Sequence, residues 1–392
     1  MFYNIKMPIF LIPILILIGI FAFSAGGDIL KNIDISLPNL QLFPEKSAEK
    51  QAPKTASPKP STIRQAPLKT SPSFVLNTVI TKGPTEDAKI SDTNIVTFEF
   101  KGTVSPVDTT GRITFETKVE GVDSDWKTTS SRQRKITLPA GPKEYTFLVR
   151  SKLGSQRDST PATRTFTINT SPYFGKINIS TTKAASESSR SLIKLTTKLD
   201  RDEKITLTGW RIQGKGGSFQ IPQGIENIYS VLNITPRDNI VIKRADTILL
   251  SGEQSPFGVG GNFRPNSCMG YLKAYYTFPL SISSSCPNDK PKVEEITFLS
   301  EACQEFILRK INFSSCQIPD YSQNIVISTD GECVSYITEN LNYSACYQRH
   351  SKESNFLKNV WHIYMNTDFV RQLHDVIELT DQNGLLVDKK VY

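Results

Sequence analysis

With 392 residues, 38% of them hydrophobic, and 23 prolines, the chain is long enough for two ordinary domains, yet part of it is too poor in apolar residues to join a core. The net charge of +8 would suit nucleic acid or an anionic surface if it were gathered on one face. About half of it lies instead in one Pro/Lys-rich segment, where Lys46, Lys50, Lys54, Lys59, Arg64 and Lys69 outnumber Glu45 and Glu49. The rest is thinly spread, which excludes a compact basic face legible in the sequence.

No charge occurs from Met7 to Gly27, and Ile9–Phe23 is almost wholly apolar, close to the length that crosses a hydrocarbon core. Residues 1–27 are therefore expected to be a signal anchor, a transmembrane helix with Lys6 on the cytoplasmic side. A cleaved signal peptide is the alternative, since Ala22-Phe23-Ser24 offers small residues near a cleavage position. Both readings place the rest of the chain outside the cytoplasm. Residues 28–75 are expected to form a disordered stalk. Pro44, Pro53, Pro58, Pro60, Pro67 and Pro72 stiffen it toward extended conformations, and no apolar surface offsets the entropy of ordering it. A polybasic lipid-binding role for this stretch needs the cytoplasmic leaflet, which is on the other side. The expectation is a single-pass membrane protein that touches the membrane through its N-terminal helix, with the bulk of the chain extracytoplasmic, at the cell surface.

From residue 76 the pattern becomes short alternating runs. Val96, Phe98 and Phe100 alternate with polar neighbours, as do Ile113, Phe115 and Thr117, and Tyr145, Phe147 and Val149. Ile136–Leu138 and Phe166–Ile168 add two more strands, with turn signals at about ten-residue spacing, the pattern of a β-sandwich. The run Phe115–Arg150, with its G-x-D-x-D-W turn and L-P-x-G-x-x-x-Y-x-F-x-V-R strand, resembles the fibronectin-III-like repeats and triple-tyrosine modules of bacterial surface and sensor proteins. That resemblance covers most of residues 76–170. It implies an immunoglobulin-like sandwich in which Trp126 is a core or inter-sheet residue. Asp123 and Asp125 read as turn residues in preference to calcium ligands.

A second set of strands begins at residue 173: Lys176–Ile179, Leu192–Thr196, Ile205–Ile212, Ile240–Lys243 and Thr247–Leu250. The strand Ile205–Ile212, with Gly209-Trp210 at its centre, resembles the L-x-G-W-x-[IL] strand of the lamin-tail domain, known from nuclear lamins and bacterial extracytoplasmic proteins. Val376–Asp388 resembles that family's closing hairpin, with Asn383-Gly384 in the turn. Residues 173–392 are thus expected to be a second immunoglobulin-like sandwich, and residues 263–350 depart from the family as an insertion. Two glycine-rich stretches, Gly214–Gly217 and Gly258–Gly261, lack the phosphate-cradling patterns and read as loops. His350, His362 and His374 are scattered and read as structural. No nucleophile–base motif, cofactor fingerprint or metal-ligand spacing is present, so no catalytic, cofactor or metal residue is expected.

All six cysteines, Cys268, Cys286, Cys303, Cys316, Cys333 and Cys346, fall in the insertion, with no C-x-x-C pair. An even number of cysteines outside any C-x-x-C motif, after an export signal, points to disulfides. Cys303–Cys316 and Cys333–Cys346 repeat each other. In each, the cysteine, an aromatic, an isoleucine and an aliphatic recur at offsets that make one helix face, and Asn312 and Asn342 sit where an asparagine can end a helix in the left-handed conformation. Pairing within each unit, with Cys268 joined to Cys286, is the expected connectivity, and pairing across units is the rival. The fold class is therefore mainly β: two immunoglobulin-like sandwiches in tandem, the second with a disulfide-rich, partly helical insertion, after an N-terminal transmembrane helix. The expected function is non-enzymatic, a binding or structural module for an unknown protein or glycan at the cell surface. The alternatives are a hydrolase with its site in the insertion and a DNA-capturing receptor, the latter weakened by where the charge sits.

Overall fold

The computed structural model describes residues 74–106, 111–229, 236–370 and 375–391. The expected anchor, nearly all of the expected stalk, and His374 lie outside the described residues, among which no helix is long and apolar enough to cross a membrane. The described chain is mainly β, with its helices confined to one segment.

Nine strands come first: β1 (Val75–Lys82), β2 (Ala88–Ile90), β3 (Ile95–Ser105), β4 (Thr114–Val119), β5 (Lys127–Thr129), β6 (Gln133–Thr137), β7 (Lys143–Leu153), β8 (Gln156–Arg157) and β9 (Ala162–Ile168). They form a sheet in the order β1-β3-β6 and a larger one in the order β2-β9-β7-β4-β5, with β8 on β7. Alternation decides which residues meet between them, because successive side chains of a strand point to opposite faces. Val96, Phe98 and Phe100 of β3 pack on Phe115 and Val119 of β4 and on Tyr145, Phe147 and Val149 of β7. Phe98 and Phe147 stack with ring centres 4.0 Å apart. Burying each such phenylalanine contributes about 2–3 kcal/mol, so a few of these rings dominate the sandwich.

Trp126 corrects the sequence reading, because it is outside this core. It is half-buried, and the Arg150 guanidinium lies 4.1 Å from its ring centre. Arg150 alternates with the buried Val149 and Ser151, so the contact is on the outer face of the larger sheet. There Glu116 accepts from Arg150 at 2.8 Å and Arg157 at 3.0 Å, with Lys152 at 3.5 Å. Burial raises the Glu116 carboxyl, but the hydrogen bonds from Arg157 and Arg150 outweigh it and hold the group below the usual carboxylate range. Asp123 is likewise held by protein groups, Lys127 and Arg134 at 2.7 Å each and the Val119 amide at 2.8 Å.

The second set of strands is β10 (Ile177–Lys183), β11 (Leu192–Thr197), β12 (Lys204–Thr206), β13 (Arg211–Gly214), β14 (Gly217–Gln220), β15 (Val241–Lys243), β16 (Thr247–Ser251), β17 (Val360–Tyr364), β18 (Val376–Thr380) and β19 (Leu386–Val391). Sheets β10-β11-β16-β17 and β14-β13-β18-β19 enclose one core, with Ile193, Leu195, Ile248 and Leu250 from the first and Ile212, Ile377, Leu379 and Val387 from the second. The stretch Ile205–Ile212 is two strands, β12 and β13, and not one. Gly209 at φ +89 breaks it, and its turn carries Trp210 into the core, where the Tyr173 ring lies 5.4 Å away. In the β18–β19 turn, Asp381 Oδ1 accepts from the Asn383 and Leu385 amides at 2.8 and 3.0 Å, and Gly384 takes φ +76. That left-handed position is what the N-G pair provides.

Candidate functional site

Strands β16 and β17 pair in parallel, Thr247 opposite Val360 through Ser251 opposite Tyr364. A parallel pair cannot be joined by a tight turn, so the chain must cross over, and residues 252–359 are that crossover. They contain the expected insertion 263–350. Strand β17 is buried on both faces: Trp361 and Ile363 enter the sandwich core, while Tyr364 packs with Phe263, Met269 and Phe356 of the crossover. The root of the crossover is held by Arg264, whose guanidinium donates to Asp246 at 3.0 Å, to the Lys358 carbonyl at 2.7 Å and to Glu226 at 3.3 Å. The Arg264 and Asp246 side chains are 3% and 0% exposed, so this ion pair is desolvated. Burial raises the Asp246 carboxyl against the pull of Arg264.

Four α-helices lie within the crossover, α1 (Glu301–Lys310), α2 (Ile325–Ser328), α3 (Gly331–Asn340) and α4 (Tyr343–His350), besides two short 3-10 turns at Met269–Ala274 and Val293–Glu295. The two repeated units supply α1 and α3, and the expected face is the buried one: Cys303 and Ile307 on α1, Cys333 and Ile337 on α3, packed with Leu299, Ile327 and Leu341. Ser300 caps α1 by accepting from the Cys303 amide at 3.2 Å, and Asp330 caps α3 by accepting from the Cys333 amide at 3.0 Å. The two caps also meet each other, Ser300 Oγ donating to Asp330 at 2.6 Å. The repeat thus brings two equivalent helix starts together.

All six cysteines are paired, as Cys268–Cys346, Cys286–Cys316 and Cys303–Cys333. This overturns the within-unit pairing expected from the sequence and realises the cross-unit rival for Cys303. The reason is the shared small core: when both units turn the same face inward, their first cysteines meet across it, with Cα atoms 5.7 Å apart. The second cysteines lie past the helix face. Cys316 meets Cys286 where Ser285 bridges Ser315, and Cys346 on α4 meets Cys268 in the cluster around Phe356. Asn312 and Asn342 are also corrected, since neither has the left-handed conformation. Each instead starts the next turn: Asn312 Oδ1 accepts from the Ser314 amide at 3.1 Å, and Asn342 Oδ1 caps α4 by accepting from the Ala345 amide at 2.9 Å. Asn342 Nδ2 at the same time donates to the Thr338 and Glu339 carbonyls at 2.7 and 3.0 Å, so one side chain serves the end of α3 and the start of α4.

His350 and the Cys303, Cys333 and Asp330 group have structural partners, whereas His362 Nδ1 is buried without one. His350 contacts Asp289 through Nε2 at 2.7 Å and Glu353 through Nδ1 at 2.6 Å. Burial lowers its pKa, and the hydrogen bonds to the two carboxylates outweigh that and raise it. His362 sits in β17 against the Phe263 ring, and burial pushes it down to about 4. Cys303, Cys333 and Asp330 converge as metal ligands would, but the sulfurs bond each other and the carboxylate caps α3. Two cavities adjoin the crossover. One of about 600 Å³ lies between Lys273, Lys310, Asn312 and Ile318, with the Cys316 end of a disulfide in its wall. The other, of about 450 Å³, lies where Gly258–Gly260 meets the exit of β17 at Tyr364–Asn366. Arg264, Asp246 and Tyr364 carry no signal legible in the sequence, because no local spacing links residues from separate strands. Gly258–Gly261 is a loop, in line with its composition.

The fold thus defines a mainly β protein with a disulfide-stapled helical crossover. No family model matches the chain, and no curated protein matches it. Among solved structures, the extracellular domain of a B. thetaiotaomicron protein assigned to the hybrid two-component systems shares 20% identity over 24% of this chain and 15% of that one, with a TM-score of 0.19. The extracellular domain of a B. thetaiotaomicron protein assigned to the one-component systems shares 18% over 26% of this chain and 16% of that one, TM-score 0.19. The FN1–FN3 domains of chicken CNTN1 share 10% over 43% of this chain and 58% of that one, TM-score 0.17.

Proposed function

We propose that this chain is an extracytoplasmic, non-enzymatic recognition module, tethered to a membrane by residues 1–27, with its partner-reading surface in the crossover between β16 and β17. The first sandwich is fibronectin-III-like. The second is lamin-tail-like, with Gly209-Trp210 and Asn383-Gly384 as its marks. The observation that carries the reading is the pairing of all six cysteines in one segment. Three such bonds persist in an oxidising compartment and are rare in a reducing one. The crossover needs them, because its helices are short and an isolated helix of about ten residues is marginal in water. A hydrolytic site draws no support from His350, since both of its nitrogens are engaged by carboxylates. Protease shaving of intact cells tests the reading. Cleavage between Pro44 and Phe74, with a cytoplasmic control left whole, is the expected result. Protection of that segment until the cells are lysed would reverse the topology and remove the reading.

A further inference from the structure

The cavity at the exit of β17 is uncharged: among the described residues, no residue with an ionisable acid or base side chain other than Tyr364 lines it. Its polar lining residues are Gln220, Gln254, Ser255, Asn262 and Asn366. Its apolar wall is Phe219, Pro222, Val259 and Met365. At about 450 Å³ it falls in the size range of small-molecule sites, roughly 300–1,000 Å³.

Several features show that the wall is built and not merely a gap. Gly258 at φ +83 and Gly260 at φ +70 flank Val259 and hold its side chain outward, 91% exposed, at the rim. Arg237 fixes this loop by donating to the Val259 carbonyl at 2.9 Å, and Ser255 ties its two ends by donating to the Gly261 carbonyl at 2.6 Å. Asn262 is fully buried and accepts from the Tyr364 amide at 2.7 Å, which locks the loop to β17. Asn366 adopts φ +53, a left-handed conformation that asparagine tolerates better than most L residues and that sets the direction in which the chain leaves β17. Tyr364 is 7% exposed and its hydroxyl is buried without a hydrogen-bond partner. That hydroxyl has no accessible surface, so it lies behind the wall, in the cluster with Phe263 and Met269, and does not meet a ligand.

We propose that this cavity binds one neutral sugar residue of a glycan, a hexose or N-acetylhexosamine. The exposed carboxamides of Gln254 and Asn366 each offer a donor and an acceptor on one planar group, which matches adjacent sugar hydroxyls, while Asn262 is engaged by the Tyr364 amide and the Gln223 carbonyl. The aromatic and aliphatic wall suits the C–H face of a pyranose. No cation is among the lining residues, and the Arg237 guanidinium beside Gly260 is engaged by the Val259 carbonyl, so the lining favours a neutral sugar over a uronate or sulfated one. The proposal rests on the recognition-module reading and names the ligand of its crossover.

The test is titration calorimetry of the chain carrying residues 74–392, with neutral hexose and N-acetylhexosamine trisaccharides and a trigalacturonate as the charged control. At about 0.3 kcal/mol per non-hydrogen atom, one bound sugar residue corresponds to a Kd on the order of 1 mM. Asn366→Gly keeps the left-handed backbone and removes the amide, and Gln254→Ala alters an exposed side chain, so both variants are expected to fold with an unchanged melting temperature. Each is expected to weaken the neutral sugar about tenfold, the effect of one lost hydrogen bond of about 1.4 kcal/mol. Absence of heat from every neutral trisaccharide at 20 mM ligand (~20 times that Kd), equal binding of trigalacturonate, or full affinity in both variants would each overturn the proposal. Such a failure in a protein that still passes the cell-shaving test would leave the module reading intact.

Discussion

Replacing Cys303 and Cys333 together by alanine removes the bond between the two equivalent helix starts. Those cysteines are separated by 30 positions, and closing a segment of that length restricts the unfolded chain by about 3–4 kcal/mol in the chain-entropy relation. No route through the other two bonds is shorter, so they do not substitute for it. The contacts in the small core around Ile307 and Ile337 remain in the variant, and both caps stay in place. The expected outcome is a folded protein in which amide hydrogen exchange of α1 and α3 is faster by roughly 200- to 1,000-fold, the equivalent of that free energy. Exchange in β3 and β7, within the first sandwich, should not change. Ser300→Ala, a cap loss of about 1 kcal/mol, provides the scale for comparison. Acceleration of α1 and α3 by less than about fivefold, corresponding to ~1 kcal/mol, would refute the claim that this bond is what holds the paired units.

The root and the imidazoles give further expectations. Arg264→Met leaves Asp246 buried without its cation and should cost about 3–5 kcal/mol in urea unfolding, whereas the double change Arg264→Met with Asp246→Leu should recover most of that. A double variant no better than the single would show that the loss is one of packing. His362, pushed down to about 4 by burial, contributes stability that is complete above the unfolded value near 6.5 and is lost as pH falls toward 4, about 3 kcal/mol in all. His362→Phe should flatten that part of the stability profile. His350 has the opposite sign: its raised value makes its contribution complete below about 6.5 and lost as pH rises through the folded value, so His350→Gln should be more damaging at about pH 6 than at about pH 9. Gly270→Ala would place a methyl carbon 2.5 Å from Cys316 Cβ and 2.9 Å from the Ser283 carbonyl oxygen, and should impair formation of Cys286–Cys316, read as new thiols on alkylation.

What could be read in the sequence was what repeats at short range. Val96, Phe98 and Phe100 announce β3 because strand period and hydrophobic period coincide, and the Cys-aromatic-Ile spacing announces α1 and α3 for the same reason with a helical period. The Asn383-Gly384 turn was legible because only certain residues tolerate its backbone. Partners distant in sequence were not legible. Whether Cys303 meets Cys316 or Cys333 depends on which way two units turn their common face, and spacing alone does not fix that. Size argues for placing Trp126 inward, but the neighbouring Arg150 and Glu116 let it cover an outer face. Residue type argues for placing Asn312 and Asn342 at helix ends, yet their side chains cap the turns C-terminal to them, a choice made by the direction the chain takes there. The cavity at Tyr364–Asn366 combines residues from β14, a glycine loop and β17, which no local pattern connects.

Whether the protein carries a disulfide-stapled crossover in an extracytoplasmic setting is tested most directly by non-reducing peptide mapping of the chain recovered from cells under alkylation. The expected result is no alkylated cysteine and three linked peptide pairs, Cys268 with Cys346, Cys286 with Cys316 and Cys303 with Cys333. Alkylation of all six thiols, or a peptide joining Cys303 to Cys316, would contradict it.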